Sequence, residues 1–562
     1  MPWKGNGVRG HEAIPMLLGQ HGVRVVFGMM GGTNVSWVSE GVRSGHVRLV
    51  KTRHEETAVT AAAGYARVSN SVGVCTVTKG PGFGNSVNAL IAAVKTHAPI
   101  VLIVGESASS NASTDPRSIG IQDINQHEFT RLIGAGYVHA SNPEDLPDVM
   151  STAFEGVRRD GLPYVVSTGA LALKGELSLG ALATPKRADE GLYRASVATA
   201  VDALARATSP LIIAGQGAIL AGCSRELREL AAMTGSRLAT TLVANRFFSG
   251  HARELGLCGG WASPLAYQEL RRADVVLGVG ASLNPFTTDQ GKLLSGAYVI
   301  HCDVDPKAIG RFTEVDLALI GDARSVAAAL IAEMRNRKLR PRTVIPGVPP
   351  MEEIRRSVLS VDLAHDARRG LDVRAVLSDL NRKLPPDRII VTDAGRALST
   401  APALLDARDA QSWVPGRGYG VVGHGLGTAI GAALASPCRP VTLFTGDGGF
   451  MMASHDLDAV RLAGIKNLNI VVLNDERYGS EEKYLRPLAL PFDTITQTLP
   501  DVVALARVYG GDGAVVRTMD ELEALALPRT GLFIVDVRLD PELDGEQALP
   551  RKRQSITAQL GE

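Results

Sequence analysis

The chain has 562 residues, of which 45% are hydrophobic and 21% charged, and its formal net charge is +1. This length predicts more than two domains, and the near-neutral charge argues against nucleic acid or a membrane surface as a partner. The five cysteines are scattered without CxxC spacing, which argues against a zinc site or a disulfide framework. No apolar run approaches a membrane span and residues 1–10 lack an apolar signal core, so we expect a cytoplasmic protein.

Short apolar runs alternate with amphipathic helical stretches along the chain, a pattern typical of parallel, doubly wound α/β sheets. In the first unit, the opening strand runs into a glycine turn at 28–32. An Ala-rich helical stretch follows the Arg-His-Glu-Glu sequence at 53–56, and a later strand leads into the glycine loop 79–85. The strands of this unit are predicted at 23–27, 72–78, 99–105 and 164–167.

A second unit of the same kind lies between two linkers, at 174–190 and 335–350. Its first strand ends in the glycine turn 215–218, which alone is weak evidence for a bound nucleotide. The strands of this unit are predicted at 210–215, 237–241, 275–280 and 299–304.

The third unit, at about 372–539, carries the most informative motif of the chain. Gly446-Asp447-Gly448 ends the apolar run 441–445, and Asn474 ends a second run, 27 residues after Asp447. The spacing predicts two strands joined by one helix, with the side-chain oxygens of Asp447 and Asn474 at the strand ends. Such oxygens suit a hard divalent cation, and the glycines allow a diphosphate to approach the start of the next helix.

The Arg-His-Glu sequence that ends at Glu55, the glycine loop 79–85 and the Gly-Asp-Gly motif with its distant Asn474 occur together in one known superfamily. In these features the chain resembles the thiamine diphosphate enzymes of the acetolactate synthase, pyruvate oxidase and benzoylformate decarboxylase type, and it is nearest to acetolactate synthase-like proteins. The resemblance implies three doubly wound α/β domains. The three are a pyrimidine-binding domain (1–180), a central domain (190–340) and a diphosphate- and Mg²⁺-binding domain (372–541), with a linker (341–371) before the third and a tail (542–562) after it.

The resemblance also assigns roles to individual residues. Glu55 would hold a proton against the ring nitrogen of the cofactor's aminopyrimidine, and Gln122 would approach the reacting carbon. Asp447, Asn474 and the backbone carbonyl of Glu476 would bind Mg²⁺. The other expected cofactor contacts are Gly395, Arg396, Gly420, Val422, Gly448, Gly449, Tyr478 and Gly479, with Val422 as the wedge beneath the bent cofactor and Gly449 where a Ser is frequent.

The substrate pocket is less well specified by the sequence. Its expected lining is Met30, Gly31, Thr78, Lys79, Ile121, Ser480 and Glu481. Lys79 could anchor the carboxylate of a 2-oxo acid or extend into solvent, and we favour solvent. Arg396 could contact a phosphate or be a solvated cation, and either Glu481 or Glu482 could face the pocket.

The function that the resemblance implies is carbon–carbon bond cleavage or formation on a small-molecule 2-oxo acid, dependent on thiamine diphosphate and Mg²⁺. Three alternatives stay open: a lyase or ligase of 2-hydroxy ketones or 2-hydroxyacyl-CoA, a non-catalytic regulatory paralogue, and a nicotinamide- or flavin-linked oxidoreductase. The central domain binds FAD in some members of the superfamily and nothing in others, and we do not expect FAD in this chain. A homodimer or homotetramer is expected, with each site combining Glu55 of one chain and Asp447 of its partner.

Overall fold

Three parallel sheets follow one another along the chain. The computed structural model describes residues 7–107, 113, 115, 117, 120–178, 194–342, 348–363, 365–416, 418–543 and 545–550. Each sheet is flanked by helices, which confirms the predicted fold class of three doubly wound α/β domains.

In the described part of the first domain, six strands form a parallel sheet and two more form an antiparallel pair. The strands are β1 (Val8–Arg9), β2 (Val25–Gly28), β3 (Arg48–Lys51), β4 (Gly73–Val77), β5 (Ile100–Glu106), β6 (Gly136–Ala140), β7 (Tyr164–Gly169) and β8 (Glu176–Leu177). The helices are α1 (Gly10–Gln20), α2 (Val35–Arg43), α3 (Glu55–Ser69), α4 (Pro81–Thr96), α5 (Gln126–Ile133), α6 (Leu146–Asp160) and α7 (Ala170–Lys174). The order is β3-β2-β4-β5-β7-β6, and β1 pairs with β8. The chain reverses direction across the sheet between β2 and β4, where the strand ends border a crevice suited to ligands.

The second domain has the sheet order β11-β10-β9-β12-β13-β14 in its described residues. Its strands are β9 (Pro210–Ala214), β10 (Arg237–Thr240), β11 (Glu254–Leu257), β12 (Val275–Val279), β13 (Tyr298–Asp303) and β14 (Leu317–Ile320). Its helices are α8 (Arg194–Arg206), α9 (Gln216–Leu220), α10 (Ser224–Thr234), α11 (Pro264–Leu270), α12 (Pro285–Thr288) and α13 (Ala323–Asn336), and α14 (Met351–Leu359) leads to the third domain. A Cβ on Gly215 would overlap the carbonyl oxygen of Gly280, so close backbone packing accounts for the first glycine of this turn.

The third domain repeats the topology of the first. Its strands are β15 (Ile389–Thr392), β16 (Trp413–Pro415), β17 (Val441–Gly446), β18 (Asn467–Asn474), β19 (Asp512–Val516) and β20 (Gly531–Arg538). Its helices are α15 (Val373–Lys383), α16 (Ala401–Leu404), α17 (Gly425–Ala435), α18 (Asp447–Ala453), α19 (Leu457–Leu462), α20 (Glu482–Leu485), α21 (Val502–Val508) and α22 (Met519–Ala524). The order is β16-β15-β17-β18-β20-β19. If the six strands of each sheet are numbered in chain order, their spatial order is 2-1-3-4-6-5 in both the first and the third domain. This agrees with the predicted similarity of the two units.

The first and third domains pack together through α3 and α17. A Cβ on Gly64 would overlap the carbonyl oxygen of Thr428, and one on Gly431 would overlap that of Ala61. These glycines therefore let the two helix backbones approach closely, and the apolar core of the two domains is continuous. At the end of α3, Arg67 donates hydrogen bonds to Gln216 and to the carbonyl of Val243 in the second domain.

Two further predictions concern the whole chain. Four of the five cysteines are buried, Cys438 is exposed, and all five are free thiols. Within the described residues, no helix combines the length and the apolar character needed to cross a bilayer. The compartment stays a prediction.

Candidate active site

Asp447 and Asn474 lie side by side at the carboxyl edge of the third sheet. In the register of the parallel strands β17 and β18, Gly446 is opposite Leu473, so the residues that follow are neighbours. Asn474 donates its amide Nδ2 to Asp536 Oδ1 at 2.9 Å, while its Oδ1 accepts from the backbone of Glu476 at 3.1 Å. The Asn474 side chain is thereby held in one orientation next to the aspartate.

Asp447 is a buried carboxylate that lacks a counter-charge. Only 3% of the residue is exposed, and its Oδ1 accepts from the Gly448 backbone at 2.9 Å. Its Oδ2 has no hydrogen-bond partner of good geometry within the described part of the chain, and the nearby Gln497 side chain and Arg477 backbone stabilise the carboxylate only in part. Burial, together with the nearby Asp475, raises the pKa of Asp447 to about 7. A carboxylate in this setting is stabilised by a bound cation, and the adjacent amide oxygen is a second ligand of the type that Mg²⁺ prefers.

Glu476 has an unusual backbone conformation beside this pair. Its φ of 55° lies in the left-handed region, which is uncommon for a residue other than glycine. The carbonyl oxygen accepts from the Gln497 backbone at 2.8 Å, and the side chain pairs with Arg538 at 2.6 Å. A carbonyl has two lone pairs, so one stays available for a cation.

The second half of the candidate site lies at the carboxyl edge of the first sheet. Glu55 is in the first turn of α3, and its Oε2 accepts from Asn85 Nδ2 at 3.1 Å. A Cβ on Gly82 would lie 3.4 Å from Glu55 Oε1, and one on Gly31 would lie 2.5 Å from Thr78 Cβ. Because the same Cβ on Gly82 would also lie 2.9 Å from Thr78 Cγ2, the structure brings Glu55 together with the predicted pocket residues Gly31 and Thr78.

Lys79 does not extend into solvent, so that expectation was wrong. Its ammonium donates to Asp123 Oδ1 at 2.7 Å and also to Ser107, and the Asp123 side chain is buried. The neighbouring Gln122 is exposed and Ile121 is fully exposed, with a relative accessibility of 105%. Met30 is half-buried and packs against the apolar core of the first domain. Lys79 thus neutralises a buried carboxylate, and Ile121 and Gln122 are exposed where the Gln122 backbone passes close to Gly80 of the glycine loop.

Three family profiles match the chain in the order of the three sheets. They are the N-terminal TPP binding domain (residues 8–131), the central domain (197–330) and the C-terminal TPP binding domain (393–537) of thiamine pyrophosphate enzymes. Together they account for well over half of the sequence. The chain belongs to the thiamine pyrophosphate enzyme family.

Curated relatives of this thiamine pyrophosphate enzyme cover nearly its whole length. A probable acetolactate synthase large subunit of Methanocaldococcus jannaschii is 27% identical over 97% of this chain and 93% of the relative. An acetolactate synthase large subunit of Mycobacterium tuberculosis is 29% identical over 89% and 82%, respectively. A probable 2-ketoarginine decarboxylase of Pseudomonas aeruginosa is 28% identical over 94% and 93%. The relatives therefore carry both synthase and decarboxylase names.

In this thiamine pyrophosphate enzyme, Asp393 anchors the loop that carries the predicted wedge Val422. The buried carboxylate accepts from the backbone of Ala394 at 2.8 Å, from the backbone of Gly423 at 3.1 Å and from Thr445 Oγ1 at 3.1 Å. Burial raises the pKa of Asp393. Sequence reasoning assigned the segment that begins at Asp393 to the phosphate side but missed this anchoring role.

The crowding at Gly449 gives a reason for glycine where a Ser is frequent in the family. A Cβ there would lie 2.7 Å from Asp393 Oδ2, 2.9 Å from Thr445 Oγ1 and 3.2 Å from Val422 Cγ1. Gly395 and Gly420 instead have open space at the Cβ position and positive φ values of 142° and 82°. An added Cβ at either position would meet no atom within 4 Å, so the positive φ rather than crowding favours glycine there.

We predict that Gly449→Ala lowers the free energy of unfolding of the cofactor-free protein by about 1–3 kcal/mol, because the added methyl group displaces Asp393 or Val422. Gly446→Ala is the matched control, since a Cβ at Gly446 meets no atom within 4 Å. The control is expected to change stability by less than about 0.5 kcal/mol. Urea denaturation measures both values, and equal effects of the two substitutions would contradict the crowding at Gly449.

Arg396 is neither solvated nor unpaired, which corrects the solvated alternative. Only 8% of the residue is exposed, and its guanidinium pairs with Asp475 at 2.6 Å and with Glu482 at 3.0 Å. Glu482 also pairs with Arg477 at 3.1 Å and with Arg486 at 2.7 Å. A phosphate contact of Arg396 stays a prediction, and such a contact would have to share the guanidinium with two carboxylates.

The predicted residues that follow Arg477 fall into two groups. A Cβ on Gly479 would overlap the Arg396 guanidinium, so this glycine lets the segment pass close to the buried ion pairs. Tyr478 is 42% exposed, and Ser480 and Glu481 are exposed. Of the two glutamates that follow Ser480, the buried one is therefore Glu482, held in the ion-pair network, and the one left free to face a substrate is Glu481.

Proposed function

We propose that this protein is a Mg²⁺- and thiamine diphosphate-dependent enzyme that decarboxylates a 2-oxo acid and either releases the product or joins it to an acceptor, as acetolactate synthases do. The observation that carries the proposal is the buried Asp447, with one unpartnered oxygen, next to the oriented Asn474. Burying a carboxylate with an unpartnered oxygen costs free energy, so apolar packing does not account for Asp447, and a solvated carboxylate would be exposed. The presence of Glu55 in the same chain supports an enzyme over a non-catalytic paralogue.

The residues present fit the cofactor and its metal ion. Asp447, Asn474 and the Glu476 carbonyl are all oxygen ligands, as Mg²⁺ requires, and Gly448 lies in the first turn of α18, whose amide groups would face a diphosphate. A Cβ at Gly448 would lie 2.7 Å from the Tyr478 ring, so a larger residue would disturb the loop that bears Glu476. Bound thiamine diphosphate supplies the electron sink that allows a 2-oxo acid to lose carbon dioxide.

The chain's own residues orient that chemistry. The Glu55 carboxyl would hold a proton at the aminopyrimidine ring nitrogen, with Asn85 fixing its orientation through the 3.1 Å hydrogen bond. Val422, on the loop anchored by Asp393, would support the bent cofactor. Because Lys79 is neutralised by Asp123, we propose that it keeps the glycine loop in place and does not hold the substrate carboxylate.

The activity is tested with a panel of 2-oxo acids, with and without 2-oxo acid or aldehyde acceptors. We expect carbon dioxide release that requires both thiamine diphosphate and Mg²⁺, and product analysis by mass spectrometry then separates decarboxylation from carboligation. Absence of carbon dioxide release from every 2-oxo acid, combined with cleavage of a 2-hydroxyacyl-CoA, would replace the proposal with the lyase alternative.

We propose further that the complete site forms between two copies of the chain. The Glu55 carboxyl lies against Asn85 and Gly82 of its own domain, whereas residues next to it, such as Thr57, contact the third domain. Around the two half-sites, Ile121, Met452 and Tyr478 are large and 105%, 51% and 42% exposed, respectively. Exposed apolar side chains around incomplete sites are typical of surfaces that a partner covers.

Mixing two inactive variants tests the shared site. We expect Glu55→Gln and Asp447→Ala chains, unfolded together and refolded in equal amounts, to recover about a quarter of the wild-type activity. Half of randomly assorted dimers pair the two variants, and each such dimer has one complete site. Recovery no greater than the sum of the separately refolded variants would show that each chain holds its own site.

A further inference from the structure

A partly buried hydrogen bond between His424 and Glu56 joins the first and third domains within one chain. His424 Nε2 lies 2.5 Å from Glu56 Oε1, and Asn88 Nδ2 donates to the same oxygen at 2.5 Å. His424 is only 7% exposed. Burial alone would raise the pKa of Glu56, but the hydrogen bonds from His424 and Asn88 outweigh burial and hold this pKa below its usual value.

Each partner of the pair is attached to a different part of the proposed active site. Glu56 follows Glu55 in the first turn of α3, where its backbone N–H donates to His54 Nδ1 at 3.2 Å. His424 follows Gly423, whose backbone bonds to Asp393, and it is two residues from Val422. The contact thus connects the turn that presents Glu55 with the loop that presents Val422.

Other contacts already hold these two domains together. Helices α3 and α17 pack closely, the Arg53 backbone donates to Asp456 at 3.0 Å, and the Arg53 guanidinium pairs with Asp458. Beside the pair lies a cavity of about 110 Å³, lined by both partners and by His54, Thr57, His455 and Asp456. Because packing is incomplete beside the pair, the His424–Glu56 hydrogen bond is a specific constraint on the loop segment Gly423–His424 that follows Val422.

We propose that Glu56 and His424 are a positioning pair that sets the Val422 loop relative to the helix carrying Glu55. The inference rests on the proposed function. In a dimer with shared sites, the Glu55 of a chain serves one site and its Val422 serves the other. A single contact within each chain then fixes a component of both sites, and its loss impairs cofactor binding without separating the domains.

The test is a double-mutant cycle with thiamine diphosphate affinity, measured by calorimetric titration in Mg²⁺, as its readout. We expect Glu56→Ala and His424→Ala each to weaken binding about tenfold, and the double variant to lose no more than either single variant, as for residues that act as one unit. His424→Gln keeps an N–H donor at a similar reach and is expected to bind within about threefold of wild type.

Asp458→Asn is the matched control, because it removes a carboxylate from an ion pair across the same domain interface but away from the Val422 loop. We expect its affinity to stay within about twofold of wild type. Thermal unfolding of each cofactor-free variant shows that the chain is folded. An equal loss in Asp458→Asn, additive losses in the double variant, or wild-type affinity in both single variants would overturn the positioning role.

A wild-type protein that does not bind thiamine diphosphate would instead overturn the proposed function, and the positioning role with it. The two failures are therefore distinguished by the wild-type titration alone.

Discussion

Glu55→Gln is expected to lower kcat by about a hundredfold or more, because the amide cannot hold and release a proton at the cofactor ring. The substitution keeps the size of the side chain and an oxygen that can accept from Asn85, so the first turn of α3 should stay intact. Steady-state kinetics measures the loss. Calorimetric titration should show thiamine diphosphate binding within about tenfold of wild type, since the diphosphate and metal contacts lie in the third domain.

The matched control is Glu128→Gln, which replaces another first-turn glutamate of the same domain. Glu128 is in α5, where it pairs with Arg131 on the surface. We expect this control to keep kcat within about twofold of wild type, as is usual for exposed pairs. A Glu55→Gln enzyme with more than a tenth of the wild-type kcat would show that another group holds the cofactor proton.

The sequence predicted most inner strands of the three sheets and missed the outer ones. Besides all six edge strands, namely β3, β6, β11, β14, β16 and β19, the inner strand β20 was not predicted. An inner strand of a parallel sheet is buried on both faces and reads as a continuous apolar run. An edge strand is short and partly exposed, as the half-buried residues of β6 illustrate, so it lacks that pattern.

The relation between Asp447 and Asn474 was predictable because it depends on local pattern and sheet register. Two buried runs joined by one helix form adjacent parallel strands, and the residues after them then share an edge. Glu55 and Thr78 were instead assigned from the resemblance to the family, and the structure places both against Gly82. Spacing along the chain was therefore sufficient for the backbone positions of Asp447 and Asn474.

The partners of the charged residues could not be predicted in this way. Lys79 pairs with Asp123, 44 residues away, and Arg396 pairs with Asp475, 79 residues away. Each pair is formed by loops that follow different strands, and the sequence does not show which way a long flexible side chain turns. Asp393 was missed as an anchor for a similar reason. Its carboxylate accepts hydrogen bonds from the backbone of Ala394 and Gly423, and backbone N–H groups are the same whatever the side chain, so the sequence does not mark them.

The pairing of these cations leaves the candidate metal site with an excess of negative charge. Arg396 neutralises Asp475 and also contacts Glu482, while Asp447 has no cationic partner within the described residues. The buried Asp447 therefore costs stability in the cofactor-free protein, and it becomes favourable when a divalent cation binds. This difference between the two states leads to a second large expected effect.

Asp447→Asn is expected to weaken thiamine diphosphate binding in Mg²⁺ by about a hundredfold or more, since loss of even a residue that only supports a metal ligand costs about 10–100-fold. At pH 8, where Asp447 is ionised because its pKa is about 7, the cofactor-free variant should at the same time unfold at a higher temperature than wild type, because the substitution removes a buried charge that has no cationic partner among the described residues. Differential scanning calorimetry with and without cofactor and Mg²⁺ measures both effects. Asp458→Asn, which replaces an aspartate in the next helix, is expected to change neither. Retention of Mg²⁺-dependent cofactor binding by Asp447→Asn would show that the cation binds elsewhere.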